Sequence, residues 1–242
     1  MKNHIRAAGL GLSLILMAGA VAPALAQPPP PADAMTDPSF KREEVIKFMG
    51  LKPGDRVADI VAGRFTRALS VAVGPKGKVY AVEPAEIVKT HSEVLPAMAK
   101  AAEGAEGHNI EVMSTNPTNA LGLPSRLDVV FIRQNYHDLY DKFMSPADVP
   151  TFNKEVYAAL KPGGVYVILD HSAVKGSGLT ATETLHRIDR DAVVAEVLKA
   201  GFKLDGESAI FANPDDPRDK MVFHPSIRGK TDQFLLKFRK PK

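Results

Sequence analysis

Apolar residues along this chain fall into short runs bounded by turn residues, with amphipathic stretches between them. The runs predict strands over 56–62, 78–83, 109–114, 127–133, 165–170, 202–211 and 234–238. Helical periodicity predicts helices over about 65–73, 86–103, 149–160 and 191–200, with Pro96 marking a break or kink in the second. Asp37-Pro38 has the form of an N-cap with proline at the first helical position, and Phe40, Val45, Ile46 and Met49 share a face of the helix that follows. The turns are Lys52-Pro53-Gly54-Asp55, Gly74-Pro75-Lys76-Gly77 and Lys161-Pro162-Gly163-Gly164. Run 127–133 is nearly all apolar, as a strand buried on both faces requires. Strand and helix alternate for most of the chain, the signature of an α/β fold with a doubly wound, mostly parallel sheet. Ligands in such sheets sit beyond the carboxyl ends of the strands, near the switch point. Residues 171–188 are irregular and bear Gly, Ser and Thr, as a lid or an ordinary long loop would.

The first 26 residues stand apart. Lys2, His4 and Arg6 precede the apolar run Gly9 to Ala20, and Ala24-Leu25-Ala26 forms a small-x-small cleavage site before Gln27. This pattern predicts a secretory signal peptide over 1–26, hence a periplasmic or secreted protein with no stable membrane insertion after cleavage. The apolar run is too short to span a bilayer comfortably. Pro28 to Pro31 predict an extended, exposed tether over 27–36. A single domain over 37–242 follows, since no internal repeat or second linker interrupts it.

Composition narrows the chemistry. The chain has no cysteine, which excludes disulfides, thiolate catalysis and cysteine-based zinc sites. Lys2 and Arg6 belong to the leader, so part of the formal charge of +3 leaves with it. The one basic cluster is the tail Lys237, Arg239, Lys240 and Lys242, and no aromatic-studded basic face accompanies it. A solvated end is therefore the expected meaning of that cluster, and a nucleic-acid partner is not expected.

The most informative stretch is Arg56-Val57-Ala58-Asp59-Ile60-Val61-Ala62-Gly63-Arg64-Phe65-Thr66-Arg67, followed by Lys78-Val79-Tyr80-Ala81-Val82-Glu83-Pro84. An apolar strand ending in Asp-x-x-x-Gly before a helix start exposes backbone N–H groups, and a carboxylate about 20 residues on suits ribose hydroxyls. The pattern points to an adenosine-containing cofactor. A single glycine, Gly63, is poor cover for the pyrophosphate of a nicotinamide dinucleotide.

Together with Leu127-Asp128-Val129-Val130-Phe131, Leu160-Lys161-Pro162-Gly163-Gly164 and Ala200-Gly201-Phe202, these residues resemble class I S-adenosylmethionine-dependent methyltransferases over roughly residues 40–240. Asn135-Tyr136-His137-Asp138, His186-Arg187-Ile188-Asp189 and Arg228-Gly229-Lys230-Thr231-Asp232-Gln233-Phe234 look like a narrower group of exported bacterial methyltransferases. The resemblance implies a seven-stranded sheet with its last strand antiparallel, and S-adenosyl-L-methionine as cofactor. It places Asp59 and Gly63 beside the methionine part, Glu83 at the ribose and Asn116 at the adenine. Between Asp59 and Thr66 the chain is shorter than the family pattern, and Arg64 stands where another glycine is expected. Arg64 either pairs with the cofactor carboxylate or fills the pocket.

Two His-Asp pairs follow neighbouring strands of that fold: His137-Asp138 and Asp170-His171. His137 is the candidate base, Asp138 its orienting partner, and Tyr136 and Asp170 the walls of the acceptor site. The same side chains, with His186 or His224, offer imidazole and carboxylate donors to a metal, but no tight ligand spacing occurs and no metal set is assigned. They could equally tie loops together at a polar sheet edge. Three functions remain open: an exported small-molecule methyltransferase, a catalytically degenerate binding protein on the same fold, and a metal-dependent hydrolase using the His-Asp pairs.

Overall fold

The structure is a computed structural model that describes residues 32–105, 108–114, 116–144 and 147–242. The expected leader and the start of the tether lie outside the described residues. Seven strands form one sheet: β1 (Arg56–Ile60), β2 (Lys78–Val82), β3 (Ile110–Met113), β4 (Leu127–Arg133), β5 (Leu160–His171), β6 (Lys203–Ser208) and β7 (Gln233–Arg239). Their order is β3-β2-β1-β4-β5-β7-β6. Strands β1 to β5 pair in parallel, and β7 runs antiparallel between β5 and β6. The chain order reverses between β1 and β4, which is the switch point of the sheet.

Period-two alternation along each strand feeds two cores, one on each face. On β1, β4 and β5, the residues Val57, Val129, Phe131, Val165, Val167 and Leu169 face one cluster. They meet Val45 and Met49 of α1 (Arg42–Met49) and Leu69 and Val73 of α2 (Thr66–Val73). The alternate residues Ala58, Ile60, Val130, Ile132, Tyr166 and Ile168 face the other. They meet Phe152 and Val156 of α5 (Val149–Ala159) and Val193 and Val197 of α7 (Arg190–Lys199). The helical stretch predicted over 86–103 is two helices, α3 (Ala85–Thr90) and α4 (Val94–Glu103), and the break falls before Pro96, which sits inside the first turn of α4. Such a position costs no helical hydrogen bond.

The Lys-Pro-Gly-Gly turn is absorbed into the start of β5. A side chain on Gly164 would lie 2.9 Å from the Lys161 carbonyl and 3.1 Å from the Leu127 carbonyl, so glycine lets β5 approach β4 there. Residues 33–36 are not extended. They form a turn in which the Ala34 amide donates to the Arg64 carbonyl, Ala34 is buried and Asp33 pairs with Arg67.

Segment 171–188 is pinned rather than loose. Ser172 bridges to Ile188, and a short helix, α6 (Thr182–Leu185), interrupts it. Arg187 is fully buried and pairs with Asp216 at 2.8 Å. Its guanidinium also donates to the carbonyls of Lys220 and Ser172, while Asp216 accepts from the amides of Arg218 and Asp232. One satisfied ion pair therefore fastens three segments at the carboxyl edge of the sheet. Arg187→Ala strands the Asp216 carboxylate and is expected to cost about 3–5 kcal/mol in urea unfolding. The double variant R187M/D216L, which removes both charges, is expected to recover much of that loss.

Candidate functional site

The cleft lies at the carboxyl edge of the sheet, where β1, β2, β4 and β5 end side by side. It encloses about 660 Å³ and is lined by Asp59, Val61 to Phe65, Arg133 to Asn135, His137, Asp138, His171, His186 and Phe223, among others.

At the end of β1 the backbone turns sharply through Val61, which adopts a left-handed conformation (φ +52°). For a β-branched residue this costs on the order of 1–2 kcal/mol. Thr66, the first residue of α2, then closes the turn: its hydroxyl donates to the Asp59 carboxylate at 2.6 Å and accepts from the Gly63 amide at 2.9 Å. Phe65 is buried, edge-on to Phe40 and Phe131. A β-carbon on Gly63 would meet nothing within 4 Å, so the hollow above it is open. Arg64 does not fill it. The Arg64 side chain is exposed and donates to the Ala32 carbonyl.

Two carboxyls in this region are held out of water. Burial lifts Asp59 to about 7, with Thr66, Gly63 and Arg133 opposing. Burial and then the charge of Asp59 lift Glu83 to about 8, with only the Ala62 amide offsetting them. Glu83 follows β2 directly, is 2 % exposed, and its Oε2 has no hydrogen-bond partner. Buried acceptors are normally satisfied, so such an atom calls for an explanation.

Arg133, the last residue of β4, also lines the cleft, a position that the sequence pattern did not single out. Its guanidinium lies 4.9 Å from the Phe40 ring and 6.0 Å from the Phe65 ring, and its Nε is buried without a partner. Burial, reinforced by Arg64, draws it down to about 10 while Asp59 and Asp170 hold it up. A charge closing a strand that is apolar from Val129 to Ile132 was the available signal.

The two His-Asp pairs do converge, across the neighbouring strands β4 and β5. Both Asp170 oxygens are taken by His137: Oδ2 accepts from its amide and Oδ1 lies 2.8 Å from its Nδ1. On the other side, His137 Nε2 is 3.1 Å from Asp138 Oδ1. Burial disfavours the charged ring, but Asp170 and Asp138 prevail and raise His137 to about 10. Burial of Asp138 is likewise outweighed by its bonds to His137, His186 and Asn135, which hold it well below the usual carboxylate range. An imidazole clamped as a cation between two acids does not take a proton at neutral pH, so the base role expected for His137 does not follow from this arrangement. His171, chiefly through burial, is lowered to about 3 and stays neutral, with Nδ1 2.8 Å from the Thr231 hydroxyl.

Two other expected residues lie elsewhere. Tyr136 is fully buried in the core, its hydroxyl bonded to Asn153, so it does not form an acceptor wall. Asn116 spends its amide on the Leu121 carbonyl, and neither it nor Glu83 is among the residues lining the cleft.

No protein-family model matches the chain. In sequence it is 30% identical over 137 residues to a demethylmenaquinone methyltransferase of Geobacillus stearothermophilus, and 29% identical over 133 residues to one of Geobacillus sp. strain WCH70. The alignments cover 54% of this chain and 51% of each relative, so the chain spans about half the length of the curated relatives it matches. In structure it superposes on an S-adenosylmethionine-dependent methyltransferase of Aquifex aeolicus with a TM-score of 0.56 and 22% identity, over 85% of this chain and 94% of that one. The architecture is the methyltransferase fold. The N-methyltransferase NodS of Bradyrhizobium japonicum shares it (TM-score 0.54, 12% identity, 84% of this chain and 96% of that one). So does the [4+2]-cyclase SpnF (TM-score 0.55, 15% identity, 87% and 83%), and one methyltransferase fold thus hosts different reactions.

Glu83 yields a stability test. Its folded-state pKa lies above the unfolded one, so its contribution is present at low pH and is lost as pH rises from the ordinary carboxyl range through about 8. Between about pH 5 and 9, wild type is expected to lose on the order of a few kcal/mol relative to Glu83→Gln in urea unfolding. A difference that stays flat with pH would place the carboxyl in water.

Proposed function

We propose that the protein is an S-adenosylmethionine-dependent methyltransferase that acts, after export, on a small molecule with an apolar or aromatic body. The observation that carries the reading is Glu83: a buried carboxyl with an unpartnered oxygen at the end of β2, one strand from Asp59. A vicinal diol supplies the two hydroxyl donors such an acid lacks, and ribose is a vicinal diol. The open hollow over Gly63 leaves room for the rest of the cofactor, and Arg133, next to Phe40 and Phe65, offers a guanidinium to a carboxylate. In this reading Glu83 holds the ribose, Asp59 and the 61–65 turn border the methionine part, and Arg133 rather than Arg64 pairs with its carboxylate. The cofactor would supply a methyl group made electrophilic by a sulfonium.

The residues here align and exclude water more than they move protons. His137 is fixed between Asp138 and Asp170, and His171 is too weak a base to ionise an ordinary hydroxyl. This favours an acceptor whose nucleophilic atom needs little help in losing its proton. Phe143 and Phe223, with Val222, give the cleft an apolar rim: Phe223 is 55% exposed and Phe143 37%. Demethylmenaquinone methyltransferases are relatives in sequence, which supports a small-molecule acceptor. Export rests on the leader pattern of residues 1–26. Among the described residues no helix is long and apolar enough to cross a membrane.

The clamping of His137 between two acids favours a second reading, a binding protein that holds the cofactor without transferring from it. Calorimetric titration with S-adenosylmethionine tests both. Saturable binding is expected, weakened about 10- to 100-fold by Glu83→Gln. Buffer-dependent heat at pH 7 is also expected, because the Glu83 carboxyl gives up its proton as the diol docks. Absence of heat at high micromolar ligand would overturn the proposal. Binding without methylation of any quinol, phenol or amine probe would leave the second reading in its place.

A further inference from the structure

We infer that His137, Asp138 and His186 form a binding site for one divalent transition-metal ion on the wall of the cleft. Nε2 of His137, an oxygen of Asp138 and a nitrogen of His186 all lie within 4.8 Å of one another. Two of the separations are known individually: 3.1 Å from His137 Nε2 to Asp138 Oδ1, and 3.5 Å from His186 Nδ1 to the same oxygen. For bonds of about 2 Å, the ligand–ligand edge of a tetrahedral site is about 3.3 Å. These two edges bracket that value, and the third, between the two imidazoles, lies within 4.8 Å, so an ion held by all three atoms draws the two rings toward it.

The surroundings are those of a built site. A metal-binding imidazole normally hands its other nitrogen to a carboxylate or carbonyl, which fixes the tautomer and the ring. His137 does this: Nδ1 and the main-chain amide both engage Asp170, and Nε2 faces Asp138, so an ion that binds there takes the place of the Nε2 proton. Asp138 is fixed the same way, with Oδ2 held by the Asn135 amide at 2.7 Å and Oδ1 left facing the two histidines. A further observation points to a missing ligand. Asp141 is 2 % exposed, its Oδ1 has no partner, and its Oδ2 lies 3.9 Å from His186 Nδ1. A buried carboxylate oxygen without a partner, next to the His186 ring, is stabilised by a cation held there.

Two imidazoles and a carboxylate select zinc, cobalt, nickel or iron(II) over magnesium or calcium, which prefer all-oxygen shells. His137, Asp138 and His186 all line the cleft, so the remaining coordination positions are open to a small molecule there. The use of the ion to attract an anionic acceptor oxygen rests on the proposed methyl transfer. Binding of the ion does not.

The test uses protein purified without a histidine tag and stripped with a chelator. Titration with cobalt(II), followed by its visible absorption bands, is expected to show one site, with zinc displacing the cobalt. His186→Asn, which keeps a side chain tolerant of the left-handed backbone at 186, is expected to weaken binding about 100-fold, and Asn135→Ala about 10-fold. No cobalt bands at 100-fold excess, or binding that His186→Asn leaves unchanged, would overturn the inference. Because no nucleoside is present, failure of the metal titration and failure of S-adenosylmethionine binding are read separately.

Discussion

Two carboxyls at adjacent strand ends, Asp59 and Glu83, are kept from water, and Arg133 offsets only part of that burial at Asp59. Because β1 and β2 are parallel neighbours in register, with Ile60 opposite Val82, their last residues emerge at one edge and their acids share one environment. Burial makes both acids reluctant to ionise, and the charge of Asp59 adds to the cost for Glu83. Thr66 satisfies part of Asp59, whereas Glu83 keeps one oxygen empty-handed. Asp59 lines the cleft, and Glu83 lies one strand away with an oxygen for which the described residues provide no donor. Natural cores leave few such atoms, and at a switch point they mark ligand sites.

The same alternation that builds two cores also aims the functional groups. Arg133 lies in the phase of Val129 and Phe131, so its guanidinium rises on the face of α1 and α2 and lies over Phe40. Asp170, one strand away, lies in the phase of Tyr166 and Ile168, on the opposite face, where it meets His137. The cleft therefore has two chemically distinct walls. One is a guanidinium and aromatic wall beside the β1 turn, and the other is a histidine and carboxylate wall held by β4 and β5. The buried pair Arg187–Asp216 fastens segment 171–188, and with it His186, to that second wall.

Much of the fold was legible because parallel strands buried on both faces must be continuous apolar runs, and every predicted strand is present to within a few residues. The exception, β5, runs into the preceding turn because Gly164 lets the backbones close up. At the site, Asp59, Gly63 and Glu83 lie at strand ends around one region, since their place is fixed by chain topology. What depends on side-chain direction was not legible. Tyr136 sits between two residues bordering the cleft and yet points into the core, and Asn116 turns to a local carbonyl. The charge state of His137 is set by Asp170, 33 residues away along the chain, a contact that no local spacing reveals. Val61 shows the same limit for the backbone. A sequence rule assigns left-handed positions to glycine, but here the contacts of Thr66 and Phe65 force a β-branched residue to take one.

The carboxyl of Glu83 can be followed directly by carbon-13 NMR as pH is varied, with Glu83→Gln identifying the resonance. In the free protein its midpoint is predicted near 8. With S-adenosylhomocysteine bound, the midpoint should fall into or below the ordinary carboxyl range, because hydroxyl donors stabilise the ionised form. A free-protein midpoint already in the ordinary range, or one that the nucleoside leaves unmoved, would contradict the claim that this acid is held in readiness for a diol.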